Sequence, residues 1–192
     1  MDRPFVIAIN SVSGGGKTAL ARLVQFSLPR SGLFCFDEFD ATNVYPENFI
    51  EWSRRGADLL EFDCPGMGEA VAREIERGST QYLVLDYPFG RDHPRFRHVI
   101  DLSVFVDTPL DVAMARRIIR DYASETSAPP GNVLRHLRDE MTHYLESARP
   151  LYVDVERHRA NSDLILNGCR SLEDLKTEVV DRARRERRSV SG

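Results

Sequence analysis

The stretch that most restricts how this chain folds is near its amino end, "FVIAINSVSGGGKTAL" (5–20). Five apolar residues without alternation, Phe5 to Ile9, predict a strand buried on both faces. Gly14, Gly15 and Gly16 then permit a tight turn and a close backbone approach. Leu20, Leu23, Val24 and Ser27 recur on one helical face before Pro29 stops the helix. The same kind of strand returns in "LFCF" (33–36), "YLVL" (82–85), "LSVFV" (102–106) and "LIL" (164–166). Between them, Leu110, Met114 and Ile118 keep helical spacing. Ser171 to Asp174 reads as a capping-box start with Leu172, Leu175, Val179 and Val180 behind it. Alternating strand and helix predict an α/β fold, a five-stranded parallel sheet with helices on both faces. A length of 192 residues fits one domain, taken as 1–188, with a disordered tail at 189–192. Two stretches break the alternation. An aromatic, turn-rich segment at about 38–66 is expected to be a flap, and about 116–150, around "SETSAPPGN", a helical lid.

In such sheets ligands sit beyond the carboxyl ends of the strands, here marked by Asn10, Asp37, Asp86, Asp107 and Asn167. The turn after the first strand matches the Walker A pattern G-x-x-x-x-G-K-[ST], except that Ser11 stands at the first glycine. A loop of this kind directs backbone N–H groups at an anion, and the following helix presents its positive end to it. That makes Ser13, Gly14, Gly15, Gly16, Lys17 and Thr18 candidates to hold a nucleotide, with Lys17 on the outer phosphates and Thr18 on Mg²⁺. Asp86, closing "YLVLD", has the Walker B form and is a second metal candidate. Asp37, closing "FCFD", is placed to engage the proton of an acceptor hydroxyl; a turn aspartate capping a helix is the plainer alternative. "MARRIIRD" puts Arg116, Arg117 and Arg120 on one side of a helix before the lid, where they can meet phosphate charge. A solvated basic face paired with Asp111 or Asp121 is the alternative there.

The order of these motifs resembles the uridine kinase branch of P-loop kinases, which includes nicotinamide riboside kinases, phosphoribulokinase and pantothenate kinase. The similarity runs over roughly residues 5 to 180. It rests on "VSGGGKT", "FDEF", "FDCP" (62–65), "DLSVFVDTPLDVAMARRIIRD" (101–121) and "YLESARPLYVDVERHRANSDLILNG". The resemblance implies a three-layer P-loop NTPase fold with a helical lid, and transfer of the γ-phosphate of ATP, with Mg²⁺, to a hydroxyl of a small nucleoside or riboside-like acceptor. It maps the catalytic aspartate to Asp37, an acceptor-ribose aspartate to Asp63, and the phosphate-contacting arginines to Arg117 and Arg120. Arg116 joins the nucleotide set. His143 stands where uridine kinases tend to carry a base-holding glutamine. Tyr87, with Phe89, offers aromatic surface for a ring, and Arg91 offers a contact to acceptor hydroxyls; core and surface-loop roles are the alternatives. The chain departs from the family in Asp86-Tyr87 for Glu-Gly, in Cys64 for histidine, and in a lid stretch, "YASETSAPPGN", without arginine. These departures bear on the acceptor, so a nucleotide, pantothenate or sugar acid stays open. So does a regulatory module that binds nucleotide without catalysis. No Asn/Thr-Lys-x-Asp guanine motif is present.

A net charge of −4 argues against nucleic acid as partner. "RARRERR" (182–188), with five arginines and one glutamate, is expected to be a solvated helix end fraying into the tail, or else a docking tail for an anionic partner. Cys35, Cys64 and Cys169 form no C-x-x-C pair, which fits a reducing, cytoplasmic setting. The first apolar run is far too short to span a bilayer, so no membrane role is expected. Trp52 is expected to be packed, and His93 and His98 have nothing nearby in sequence to complete a metal site.

Overall fold

The computed structural model describes residues 3–122 and 130–190. Five strands, β1 (Phe5–Asn10), β2 (Ser31–Cys35), β3 (Tyr82–Asp86), β4 (Leu102–Asp107) and β5 (Leu164–Asn167), form one parallel sheet in the order β2-β3-β1-β4-β5. The central strand β1 is buried along its whole length, as its unbroken apolar run requires. Alternate side chains of β1 feed two cores. Phe5, Ile7 and Ile9 pack with Leu20, Ala21 and Val24 of α1 (Lys17–Ser27) and with Leu175, Val179 and Ala183 of α7 (Leu172–Val190). Val6 and Ala8 face Met67 and Val71 of α3 (Pro65–Arg77) and a group of aromatic rings.

Two of those rings, Trp52 and Phe62, come from the stretch expected to be a flap, and Phe36 stands just before it. The 3-10 helix Phe36–Thr42, short helix α2 (Phe49–Arg54) and 3-10 turn Leu59–Glu61 bury Phe36, Trp52, Leu59 and Phe62 in the second core. Trp52 is packed, and its indole N–H donates to the Asp58 carbonyl at 2.8 Å. A bridge between Val44 and Asp63 closes the stretch on itself. The segment is thus anchored to the second core through these buried side chains.

Beyond β4, α4 (Leu110–Tyr122) and α5 (Pro130–His143) form the described part of the expected lid; residues 123–129 lie outside the described residues. A π-helical turn, Tyr144–Ala148, leads to α6 (Arg149–Asp154). Ser171 caps α7: its hydroxyl accepts from the Asp174 N–H at 3.2 Å and donates to the Asp174 carboxylate at 2.7 Å.

Helix α7 continues past the point where fraying was expected and takes in residues 189 and 190 of the expected tail. Of its arginines, Arg184 and Arg187 reach other elements, while Arg185 and Arg188 are exposed. Arg184 donates to the Ser27 carbonyl at 3.2 Å, Arg187 sits 5.0 Å over the Tyr82 ring, and Arg182 pairs with Glu186. Residues 191–192 lie outside the described residues. No described helix is long and apolar enough to cross a membrane. All three cysteines are free.

Candidate active site

The turn after β1 shows how serine replaces the first loop glycine. Ser11 is buried, and its hydroxyl donates to the Val106 carbonyl near the end of β4 at 2.7 Å. A Cβ built on Gly15 would overlap the Ser11 hydroxyl and lie 2.9 Å from the Ser11 Cβ. The side chain gained at position 11 thus occupies the volume left open at position 15. Gly14 (φ 81°) and Gly16 (φ 100°) take left-handed conformations that other residues adopt only at a cost. Gly16 caps α1 without any side-chain bond, so the N–H groups of the first helical turn are left to an outside acceptor. Behind the loop, the buried Thr108 hydroxyl donates to the Gly15 carbonyl at 2.8 Å.

Beneath the loop, Thr18 Oγ1 donates to Asp86 Oδ2 at 2.6 Å. Asp86 Oδ1 is buried with no hydrogen-bond partner among the described residues. Burial pushes the Asp86 carboxyl above its ordinary value of 3.8, and the Asp37 charge adds to the rise, while Lys17 and the Thr18 bond oppose it. A buried carboxylate with an orphaned oxygen beside a threonine hydroxyl is an all-oxygen donor set of the kind that suits a hard divalent cation. Parallel pairing sets Cys35 of β2 beside Asp86 of β3, which brings Asp37, two residues on, to the same sheet edge. Asp37 is exposed, and its carboxylate makes no hydrogen bond or ion pair among the described residues. It is close enough to act electrostatically on both Asp86 and Arg120.

The arginines of α4 divide. Arg116 and Arg120, with Gly14, Gly16, Lys17, Thr18 and Ala19, line a cavity of about 250 Å³ over the loop. Arg116 also donates to the Gly168 carbonyl at 3.1 Å, and Arg120 pairs with Asp121 at 2.6 Å. Arg117 does not line that cavity. Its guanidinium is bonded to Glu140 of α5, in the expected lid, and to Tyr152 of α6.

Several acceptor-side expectations change. Tyr87 is a core residue: its ring is fully buried among Phe36, Phe89 and Phe96, its hydroxyl faces the Cys64 sulfur at 3.8 Å, and it offers no surface to a ligand. Arg91 is a brace. It donates to the Asp101 carbonyl at 2.5 Å and pairs with Asp163 at 2.5 Å, which occupies the donors expected to meet acceptor hydroxyls. Asp63 is gripped on both oxygens by Arg95, at 2.6 and 2.7 Å, and also accepts from the Cys64 N–H at 2.8 Å. The Arg95 bond holds the Asp63 carboxyl below its ordinary value. His143 is exposed at the end of α5. Sequence reasoning missed Arg95, Thr108 and Glu140. Their partners lie 32, 93 and 23 residues away, and no local spacing signals such pairs.

A glycine loop wrapped by its first helix at the end of a central parallel strand, with an acid on the neighbouring strand beneath it and an arginine helix above, defines a P-loop protein with the fold of the small-molecule kinases. Within that class the chain is similar to a uridine kinase of Brevibacillus brevis, 25% identical over 191 residues and covering 86% of each chain. It is also similar to nicotinamide riboside kinase 1 of Rattus norvegicus, 26% identical over 211 residues and covering 99% of each. The solved structure of the Mycobacterium tuberculosis APS kinase in complex with AMPPNP and APS has the same fold, with a TM-score of 0.56 and 21% identity over 94% of this chain and 98% of that one. No family model matches.

Proposed function

We propose that the chain is an ATP-dependent kinase that transfers the γ-phosphoryl group to a hydroxyl of a nucleoside or riboside-like acceptor. The observation that carries this reading is the Thr18–Asp86 bond beneath the loop, with the unpaired Asp37 carboxylate on the same edge. The loop N–H groups and Lys17 bind the phosphate chain, and Arg116 and Arg120 face it from α4. Thr18 and Asp86 fit Mg²⁺, which when bound supplies positive charge to the phosphate oxygens. Asp37 orients the acceptor hydroxyl and takes its proton as the new oxygen–phosphorus bond forms; the bond from the γ-phosphorus to the bridging oxygen breaks, and ADP leaves with that electron pair. Catalysis is then mostly positioning and charge.

A second reading keeps this chemistry and changes the acceptor to one that does not rely on a vicinal diol held by Asp63. The Arg95 fork supports it, because it and the Cys64 N–H already use three of the four lone-pair sites of that carboxylate.

The test is Asp37→Asn, assayed against nucleosides, ribosides, nucleotides, pantothenate and sugar acids. Binding of an ATP analogue should persist while transfer falls about 100-fold or more. Unchanged turnover removes Asp37 from the mechanism. ATP consumption with an acid or a nucleotide but not with nucleosides selects the second reading.

A further inference from the structure

Arg117 raises a question that the site does not answer. Its stem lies against the phosphate loop: a Cβ built on Gly14 would sit 2.8 Å from Arg117 Cγ. Its two terminal nitrogens turn away, one to α5 and one to α6. Nη2 donates to Glu140 Oε1 of α5 at 2.6 Å, and Nη1 donates to the Tyr152 hydroxyl of α6, whose ring also lies 5.4 Å from the guanidinium carbon. The other Glu140 oxygen accepts from the Tyr122 hydroxyl at the end of α4, at 2.5 Å. Of the three guanidinium nitrogens only Nε, which is buried, has no hydrogen-bond partner among the described residues. A buried N–H of a charged group without an acceptor is costly, and it sits two bonds beyond the methylene that touches the anion-binding loop.

We propose that Glu140 is a positioning residue for phosphate binding. It anchors the outer edge of the Arg117 guanidinium to α5 so that the N–H of Nε, the one guanidinium nitrogen without an acceptor among the described residues, is presented to an oxygen of the bound phosphate chain. The arrangement is directional. A planar guanidinium held at Nη1 and Nη2 cannot swing, so its free edge is fixed relative to Gly14. It also joins α4, α5 and α6 through one carboxylate and one phenol, so these helices and the phosphate contact are set by the same bonds. This inference rests on the kinase reading for the identity of the anion and adds to it a residue outside the loop, the metal pair and the α4 arginines.

The experiment measures affinity for a non-hydrolysable ATP analogue, which needs no knowledge of the acceptor. It uses the full chain and the variants Glu140→Gln, Arg117→Ala and their combination, with melting temperatures recorded alongside. Glu140→Gln preserves shape and removes the charge. It should weaken analogue binding about tenfold, Arg117→Ala should weaken it at least as much, and the double variant should be no worse than Arg117→Ala alone. Unaltered affinity in Glu140→Gln overturns the proposal. So does a loss that persists undiminished in the Arg117→Ala background, because a merely structural carboxylate would act with or without Arg117. If the unaltered chain binds no analogue, the kinase reading itself falls, and this proposal with it.

Discussion

Ser11 and Gly15 share a single volume, and that explains how the loop keeps its form with serine at its first glycine. Gly15→Ala should be destabilised by about 1–3 kcal/mol through overpacking, and its nucleotide affinity should drop as the loop shifts. Ser11→Gly introduced into that variant should recover most of the melting temperature. Failure to recover would mean that the 2.9 Å approach to the Val12 carbonyl, and not the serine, sets the limit. The cysteines give a second prediction at this scale. Burial pushes the thiols of Cys35 and Cys64 up to about 11, whereas Cys169 is exposed. A thiol reagent at neutral pH should therefore modify one cysteine of the folded chain rapidly. Rapid reaction at a second would contradict the packing around β2 or α3. The loop residues and the Thr18–Asp86 pair were legible in the sequence because each follows from a short motif. The Ser11 compensation was not, because it depends on where two side chains meet across the turn.

Among elements, the segment after β3 shows what periodicity can and cannot disclose. Leu83 and Leu85 face the second core, so two-residue alternation carries Tyr87 onto the same side and away from Asp86, which faces the loop. That signal was available in "YLVLDY", and the aromatic type of Tyr87 drew attention from it. The Asp63–Arg95 and Arg117–Glu140 pairs carry no such signal, since each joins elements that only the tertiary fold brings together. His93 lies under the first of these pairs. Its Nδ1 accepts from the Arg95 N–H at 3.2 Å, so its Nε2 carries the proton and donates to the Phe62 carbonyl at 3.0 Å. Burial lowers the His93 pKa from 6.5. The native state then binds fewer protons than the unfolded chain in the window beneath 6.5. The His93 contribution to stability is complete above that pH and is lost as pH falls through the lowered native value. Melting temperature should decline across this window, and His93→Gln should flatten the decline. A second loss should follow in stronger acid, below 3.8, as the depressed Asp63 carboxyl is protonated and releases Arg95.

For the whole molecule, alternating strand and helix gave the sheet and its five members from the sequence. The packing of the 38–66 stretch and the persistence of α7 to Val190 emerged only with the aromatic core and the arginine contacts in place. Arg91 ties the loop after β3 to the start of β4 and to Asp163, just before β5, and so spans the amino-end side of the sheet away from the phosphate loop. Arg91→Ala should cost about 1–3 kcal/mol of stability, read by denaturant titration, and leave affinity for the ATP analogue unchanged. A change in affinity would show that the brace reaches the loop. A different coupling is built in at the opposite edge. The Thr108 hydroxyl that holds the Gly15 carbonyl also fills the space a side chain would take at Gly168, the residue after β5, whose own carbonyl receives Arg116. One methyl-sized intrusion in the turn after the last strand would thus travel through a single threonine to the turn after the first.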